Sequence, residues 1–182
     1  MQVVRHGTAA EFLARSRVWL ERAEVENNLI LGISRYFEAN PERTHVNPYL
    51  LTVEERDTLL GAALMTPPRH LIITGMLGPA LTALTDYFLR GGISISGVVG
   101  PTEAARLFAE YWKSQTGKNH ALKMSQRLYA CKRVLVRTYS HGRLRPAIVS
   151  DEPLATQWIA EFCREAGIED EIASMTASPN PE

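Results

Sequence analysis

The sequence predicts an α/β fold, in which a mixed, mostly antiparallel sheet is flanked by helices. Short apolar runs that suit strands alternate with longer segments whose apolar residues recur at helical spacing. Glycines and prolines punctuate these segments where strands and helices would end. The chain has 182 residues and 45% of them are hydrophobic, which is enough for one sizeable core.

The first part of the chain predicts a strand, two helices and a β-hairpin. Residues 3–6 suit a short strand, and Thr8 followed by Glu11 is typical of a capping box that begins a helix. A second helix follows with little interruption, and Pro41 ends it. Extended segments at 49–53 and 58–65 surround a charged turn, which predicts a hairpin without an Asn-Gly or Asp-Gly signature.

The middle of the chain predicts three strands and two helices. Residues 70–74 and 96–99 suit short buried strands, and helices are expected from Pro79 to Arg90 and from Pro101 to about Gly117. Residues 120–138 alternate between apolar and basic side chains. This alternation predicts a long strand with one buried and one wet face, with a bulge or an end near Lys132.

The last part of the chain repeats the pattern of its opening. Residues 144–149 predict a strand, Asp151 an N-cap, and residues 153–166 a helix that Gly167 closes. We therefore predict a domain at 1–139, an extra strand and helix at 140–176, and a disordered tail at 177–182.

The amino-acid composition limits which partners the protein can bind and in which cellular compartment we expect it. The 20 basic and 20 acidic residues balance, so the chain has no electrostatic footprint for nucleic acid or an anionic membrane. No apolar run approaches the ~20 residues that span a bilayer, and no signal peptide is recognisable. Neither the two cysteines nor the five histidines have metal-ligand spacing. We expect a soluble, cytoplasmic protein without a metal site.

The segment 74–80 is the most informative one for function. It lies between an apolar run and a helix start, where backbone N–H groups and the helix dipole can hold a phosphate. The turn has no basic residue, and Pro79 removes one N–H donor. An ordinary turn that begins a helix is the competing interpretation.

The order of elements over residues 1–138 resembles that of the GNAT superfamily of acetyl-CoA-dependent N-acetyltransferases. The phrases at 26–29, 62–68, 97–101 and 125–129 are similar to the N-terminal half of a bacterial group with two tandem GNAT-like halves. In that group the first half is degenerate and the second carries acetyl-CoA. Residues 143–151 resemble the start of the second half. The resemblance implies the acyl-CoA N-acyltransferase fold.

The resemblance also implies a cofactor site. The family's acetyl-CoA motif is Arg or Gln, two residues, Gly, one residue, then Gly or Ala, and Gly75, Gly78 and Ala80 occupy those places. The N–H groups near Leu77, Gly78 and Ala80 would hold the pyrophosphate. Because the long polar side chain is missing and Pro79 fills the intervening position, we expect acetyl-CoA to bind weakly or not at all.

Two residues are candidates for catalysis. Glu26 lies near the junction of the first two helices, which in this family often borders the amine cleft; a capping or solvated role is equally compatible. Some GNAT enzymes protonate the leaving thiolate with a tyrosine on the fourth helix, and Tyr111 is on that helix. Tyr111 lies six residues before Gly117, which does not match the usual placement, so a core or interface aromatic is the simpler interpretation.

The sequence is compatible with three functions. The first is a non-catalytic, GNAT-like N-terminal half that supports binding of an amine substrate, while the acetyl-CoA-binding catalytic half is missing from this chain. The second is a self-sufficient acetyl-CoA-dependent N-acetyltransferase, with the cofactor between strands 70–74 and 97–99. The third is a non-catalytic interaction module, whose extra strand and helix dock on the first domain or swap between two copies of the chain, because the helix at 153–166 would expose apolar side chains. In the first case the partner is the C-terminal catalytic half.

Overall fold

A computed structural model describes residues 1–43, 47–135 and 142–167 of the chain. The strands are β1 (Gln2–His6), β2 (Tyr49–Glu55), β3 (Thr58–Met65), β4 (Leu71–Ile73) and β5 (Val98–Val99). The helices are α1 (Ala9–Glu21), α2 (Asn28–Ala39), α3 (Pro79–Arg90), α4 (Thr102–Thr116) and α5 (Glu152–Ala166). Short 3₁₀ turns cover Pro41–Arg43 and Val149–Asp151. The predicted α/β class is confirmed.

The five strands form one sheet in the order β1-β2-β3-β4-β5. The first three pairings are antiparallel, and only β4 and β5 run parallel. β4 and β5 can run parallel because the connection between them contains a helix, α3, that crosses the sheet. The prediction of a mixed, mostly antiparallel sheet is confirmed.

Helices cover both faces of the sheet, and each face has its own core. Side chains of alternate parity on a strand point to opposite faces, so neighbours in β2 belong to different cores. Leu51 and Val53 pack with Phe88 of α3 and Phe108 of α4. Leu50 packs on the other side with the α1 and α2 core, which contains Phe12, Leu13, Leu20, Ile30 and Leu31.

The start of α1 has the predicted cap. The Thr8 hydroxyl accepts a hydrogen bond from the Glu11 backbone N–H at 3.1 Å. The Glu11 carboxylate reaches back one residue beyond the usual box, where it accepts from the Gly7 N–H at 2.8 Å. Two of the N–H groups at the helix entrance are therefore satisfied by side chains.

The β2–β3 hairpin closes through a two-residue turn that lacks glycine. Arg56 and Asp57 have φ values of 47° and 65°, in the left-handed region. Tight hairpins favour this geometry because its twist matches that of the strands, and Asp tolerates it better than most residues. The guanidinium of Arg15 also donates to the Asp57 carbonyl at 2.7 Å, which ties the turn to α1.

Two predicted strands are wrong. Described residues 120–135 have no regular secondary structure, and their large apolar side chains are exposed, Leu122 at 83% and Tyr129 at 85%. Alternation alone cannot make a strand, because its backbone groups need a neighbouring strand, and no strand of the described residues pairs with this segment. Residues 136–138 lie outside the described residues.

The second wrong strand is the one predicted at 144–149. The Arg145 guanidinium forms a two-pronged ion pair with the Asp151 carboxylate at 2.6 and 2.9 Å, which holds a 3₁₀ turn here. Asp151 precedes α5 as predicted, but its carboxylate accepts from the Ile148 N–H rather than from α5. The predicted helix at 153–166 is confirmed as α5.

The chain forms two compact units, which divide between Lys132 and Arg133. The first contains the sheet and helices α1 to α4, and the second contains α5. The predicted boundary at 139/140 stays a prediction, and the predicted tail at 177–182 lies outside the described residues. Among the helices that the structure describes, none combines the length and apolarity needed to cross a bilayer.

A buried carboxylate joins α1 to the sheet. Glu54 is 5% exposed, and its two oxygens accept from Nε and Nη2 of Arg15 at 3.0 and 2.7 Å. The Thr52 hydroxyl donates a third hydrogen bond at 2.7 Å. The hydrogen bond with Arg15 is the main reason that the pKa of Glu54 is lowered from its ordinary value, against the opposing effect of burial.

We predict that Arg15→Met destabilises the protein by about 2–3 kcal/mol, because it leaves Glu54 buried without a counter-charge. The control is Arg35→Met, which removes an exposed pair with Glu21 and should cost less than about 1 kcal/mol. Urea unfolding at neutral pH measures both. Equal costs would contradict the proposed role of burial.

The pH dependence follows from the sign of the Glu54 shift. A lowered pKa stabilises the folded state above the ordinary glutamate pKa, and this contribution disappears as the pH falls through the lowered value. The stability difference between the wild type and Arg15→Met should therefore shrink in acid. Urea titrations from neutral to acidic pH test this, and a constant difference would contradict it.

Candidate functional site

The turn between β4 and α3 begins at Thr74, which forms two hydrogen bonds with Ala62 of β3. The Thr74 N–H donates to the Ala62 carbonyl at 3.0 Å, and the Thr74 hydroxyl accepts from the Ala62 N–H at 2.9 Å. Met76 then folds into the core and is 2% exposed. Gly78 has φ 56° and ψ −133°, a conformation open essentially to glycine alone, and α3 begins at Pro79. The predicted strand, glycine turn and helix start are confirmed.

The turn has free backbone donors. Within the described residues, no hydrogen bond uses the N–H groups of Leu77, Gly78 or Ala80. Leu77 and Gly78 are exposed, whereas Ala80 is buried. The first N–H groups of a helix have no partner in the helix and carry its positive dipole end, so the turn can attract an anion. Pro79 at the first helical position contributes no donor.

The neighbouring strand closes the space beside this turn. Leu71 of β4 pairs with Val98 of β5, and Ile72 pairs with Val99. The two strands stay close just beyond these pairs. A Cβ placed on Gly100 would lie 2.7 Å from the Ile73 carbonyl oxygen. No opening for a ligand therefore separates β4 from β5 at this level.

The proline that follows β5 lies over the start of the turn. Cγ of Pro101 lies 3.7 Å from the Cβ position of Gly75. Gly75 itself is exposed and Pro101 precedes α4. A ligand at the turn would have to bind on the outside of this contact.

Tyr111 joins α4 to α3 and lies away from the turn. Its hydroxyl donates to Oδ1 of Asp86 at 3.1 Å. Asp86 is eight residues beyond Gly78, which is roughly 12 Å along a helix. Burial, followed by the bond to Asp86, raises the pKa of Tyr111, so the phenol stays protonated at neutral pH. This geometry suits a link between helices.

Glu26 lies in the exposed turn between α1 and α2. The neighbouring asparagines have local roles: the Asn27 amide donates to the Leu20 carbonyl at 3.0 Å, and the Asn28 amide donates to the Val25 carbonyl at 2.6 Å. Among the described residues, no hydrogen bond or ion pair joins Glu26 to Tyr111 or to the β4–α3 turn. Neither of the two catalytic candidates is thus bonded to the turn that contains the predicted cofactor-binding residues.

Two histidines have polar partners that the sequence did not reveal. His6 Nε2 lies 3.0 Å from the Thr52 hydroxyl, which donates to Glu54, so this nitrogen carries the proton. Burial lowers the pKa of His6. Thr52 is fully buried and inaccessible to a substrate. Exposed His70 lies 3.0 Å from the Ser96 hydroxyl through Nδ1. No group of three metal ligands occurs in the described parts of the chain.

The Gly78 conformation gives a paired stability prediction. Gly78→Ala should destabilise the protein by about 1–3 kcal/mol, because a Cβ is strained at this φ and ψ even though it meets no atom within 4 Å. Gly32→Ala, in the exposed middle of α2, should stabilise it by about 0.5–1 kcal/mol. Thermal and urea unfolding distinguish the two, and a neutral Gly78→Ala would contradict the assigned strain.

No protein-family model matches the chain, and no match was found among curated proteins or solved structures. The resemblance to the GNAT superfamily stays a prediction from the sequence.

Proposed function

We propose that the first unit is a GNAT-like half of an acetyltransferase whose acetyl-CoA turn is degenerate. Its function is to support the binding of an amine substrate beside an acetyl-CoA-binding GNAT unit. The order strand, two helices, three strands, helix, strand, helix supports this proposal, as does a single parallel pair at β4 and β5. Because a fold by itself does not determine chemistry, the proposal also depends on the β4–α3 turn.

The observation that carries the proposal is the β4–α3 turn. Gly75, Gly78 and Ala80 have the spacing of the acetyl-CoA motif, and three N–H groups of the turn form no hydrogen bond with the described residues. The turn nevertheless has no basic side chain, Pro79 lacks a donor, and Pro101 lies against Gly75. Each missing charge-assisted bond is worth about 1.5–3 kcal/mol, which is at least a tenfold loss of affinity for a diphosphate.

The amine-binding role is supported by the exposed carboxylate of Glu26. Most alkyl amines are cations at neutral pH. The Glu26 carboxylate at the α1–α2 junction is exposed, so it can attract such a cation without losing its own hydration. The adjacent asparagines hold the junction in place through their bonds to Leu20 and Val25.

Two other functions each have an observation in their favour. The free N–H groups at Leu77, Gly78 and Ala80 favour a self-sufficient acetyltransferase that holds its cofactor on the outside of the turn. The exposed apolar side chains of α5 favour an interaction module, since Trp158 and Phe162 are 62% and 63% exposed. Either a catalytic GNAT unit or a second copy of the chain could cover them.

Isothermal titration of the chain with acetyl-CoA separates these proposals. We expect no saturable, stoichiometric binding, because the turn lacks the charge-assisted partners of a diphosphate. The matched variant is Pro79→Ala, which restores one backbone donor and should bind more tightly than the wild type if the outside of the turn is accessible. Tight binding to the wild type would overturn the degenerate-half proposal in favour of the self-sufficient enzyme.

A further inference from the structure

The first strand, β1, is an edge of the sheet with an open outer side. It pairs with β2 along one side over five residues, and no strand of the described residues pairs with the other side. Alternate residues of such an edge direct backbone N–H and C=O groups outward. Within β1 there is no proline or bulge of the kind that commonly protects an edge, and Arg5 is the one arginine, lysine or carboxylate in the strand.

A groove of about 750 Å³ lies between β1 and the last turns of α3. Its lining is more polar than apolar, and the apolar part comes from Val3, Ala83, Tyr87 and Ile93. Val3, Tyr87 and Ile93 also pack against the core beneath. The groove is therefore a supported surface beside an unpaired strand edge.

Two arginines give the groove positive charge. The guanidinium of Arg5 lies 4.5 Å from the centre of the Tyr49 ring, and its Nη2 donates to Asn47 at 3.1 Å. Arg90 Nε donates to the Asp86 carbonyl at 3.3 Å. Both line the groove, and no carboxylate does. The Met1 ammonium, also in the lining, lies 3.8 Å from Glu55.

The two arginines of the groove have no carboxylate partner among the described residues, whereas the Met1 ammonium pairs with Glu55. In the described part of the chain, Arg5 and Arg90 form no ion pair, whereas five other arginines pair with carboxylates, namely Arg15, Arg17, Arg35, Arg106 and Arg145. The whole chain has zero net charge, so this positive surface is not a consequence of overall composition. Charge complementarity therefore favours an acidic occupant.

We propose that the groove binds an extended acidic peptide segment of another protein, which adds to the sheet as a strand beside β1. Main-chain hydrogen bonds to the edge supply affinity, and side chains of one parity enter the groove. Apolar side chains of the peptide contact Val3 and Tyr87, and acidic ones reach Arg5 and Arg90. A segment of five residues spans about 17 Å, which matches the length of β1. This inference does not depend on acetyl-CoA or on the GNAT proposal.

The probe is a fluorescent hexapeptide of alternating glutamate and valine, titrated into the full chain and followed by anisotropy. We expect saturable binding that weakens with salt. The double variant Arg5→Glu/Arg90→Glu should weaken it about tenfold or more, since it reverses both charges. The control is Arg22→Glu, an exposed arginine at the end of α1 that does not line the groove, and it should bind like the wild type.

A second probe tests the strand addition without changing the protein. Two versions of the hexapeptide carry N-methyl groups on alternate residues, one on the odd and one on the even positions, and both keep the charge. In one version the methyl groups replace the N–H groups that would bond to β1, so this version should not bind, whereas the other should. Equal binding of both N-methylated peptides, or equal competition by free glutamate, would overturn the proposal in favour of a site for small anions. Absence of saturable binding of the unmodified peptide would overturn it outright.

Discussion

The backbone conformation of Gly78 is the constraint on which the first unit depends. The chain leaves β4 at the sheet and must reverse at once to begin α3 across the same face. A φ of 56° with a ψ of −133° makes this reversal, and other residues adopt it only under strain. The reversal places Leu84 and Phe88 in the core, and it brings the last turns of α3 beside β1.

The same turn links structure to the proposed function. A helix that starts directly after a strand leaves unpaired N–H groups at its entrance, and these form the anion-attracting part of the candidate site. The features that weaken the site are also structural. Pro79 suits the first position of a helix, and Pro101 suits the entry to α4. The chain thus favours stable helix starts over donors for a ligand.

Much of the fold was predictable because local signals agreed with one another. The Thr8 cap, the Pro79 helix start and the apolar runs of β2 and β3 each have a physical cause within a few residues. The hairpin turn at Arg56 and Asp57 was not predictable in type, since neither residue is glycine and a contact from Arg15 supports it. The buried pair between Arg15 and Glu54 joins residues far apart in sequence, so no local pattern reveals it.

The wrong prediction of a strand at 120–138 also arises from contacts between distant residues, because a strand needs a partner strand. In residues 120–135 the alternation of apolar and basic side chains indicates which face of a strand would be buried, but it does not indicate which strand would pair with it. For the candidate site, the sequence located the β4–α3 turn correctly. It could not show where Glu26 and Tyr111 lie relative to this turn, because that depends on the packing of α1 and α4.

The close approach of Gly100 to Ile73 has a wider consequence. With any larger residue at 100, the new methyl group would act as a wedge against a carbonyl oxygen and push the parallel strands apart at their carboxyl ends. A splayed pair of this kind would expose the inner side of the β4–α3 entrance. The absence of a side chain at position 100 therefore lets the two parallel strands stay close together at their carboxyl ends.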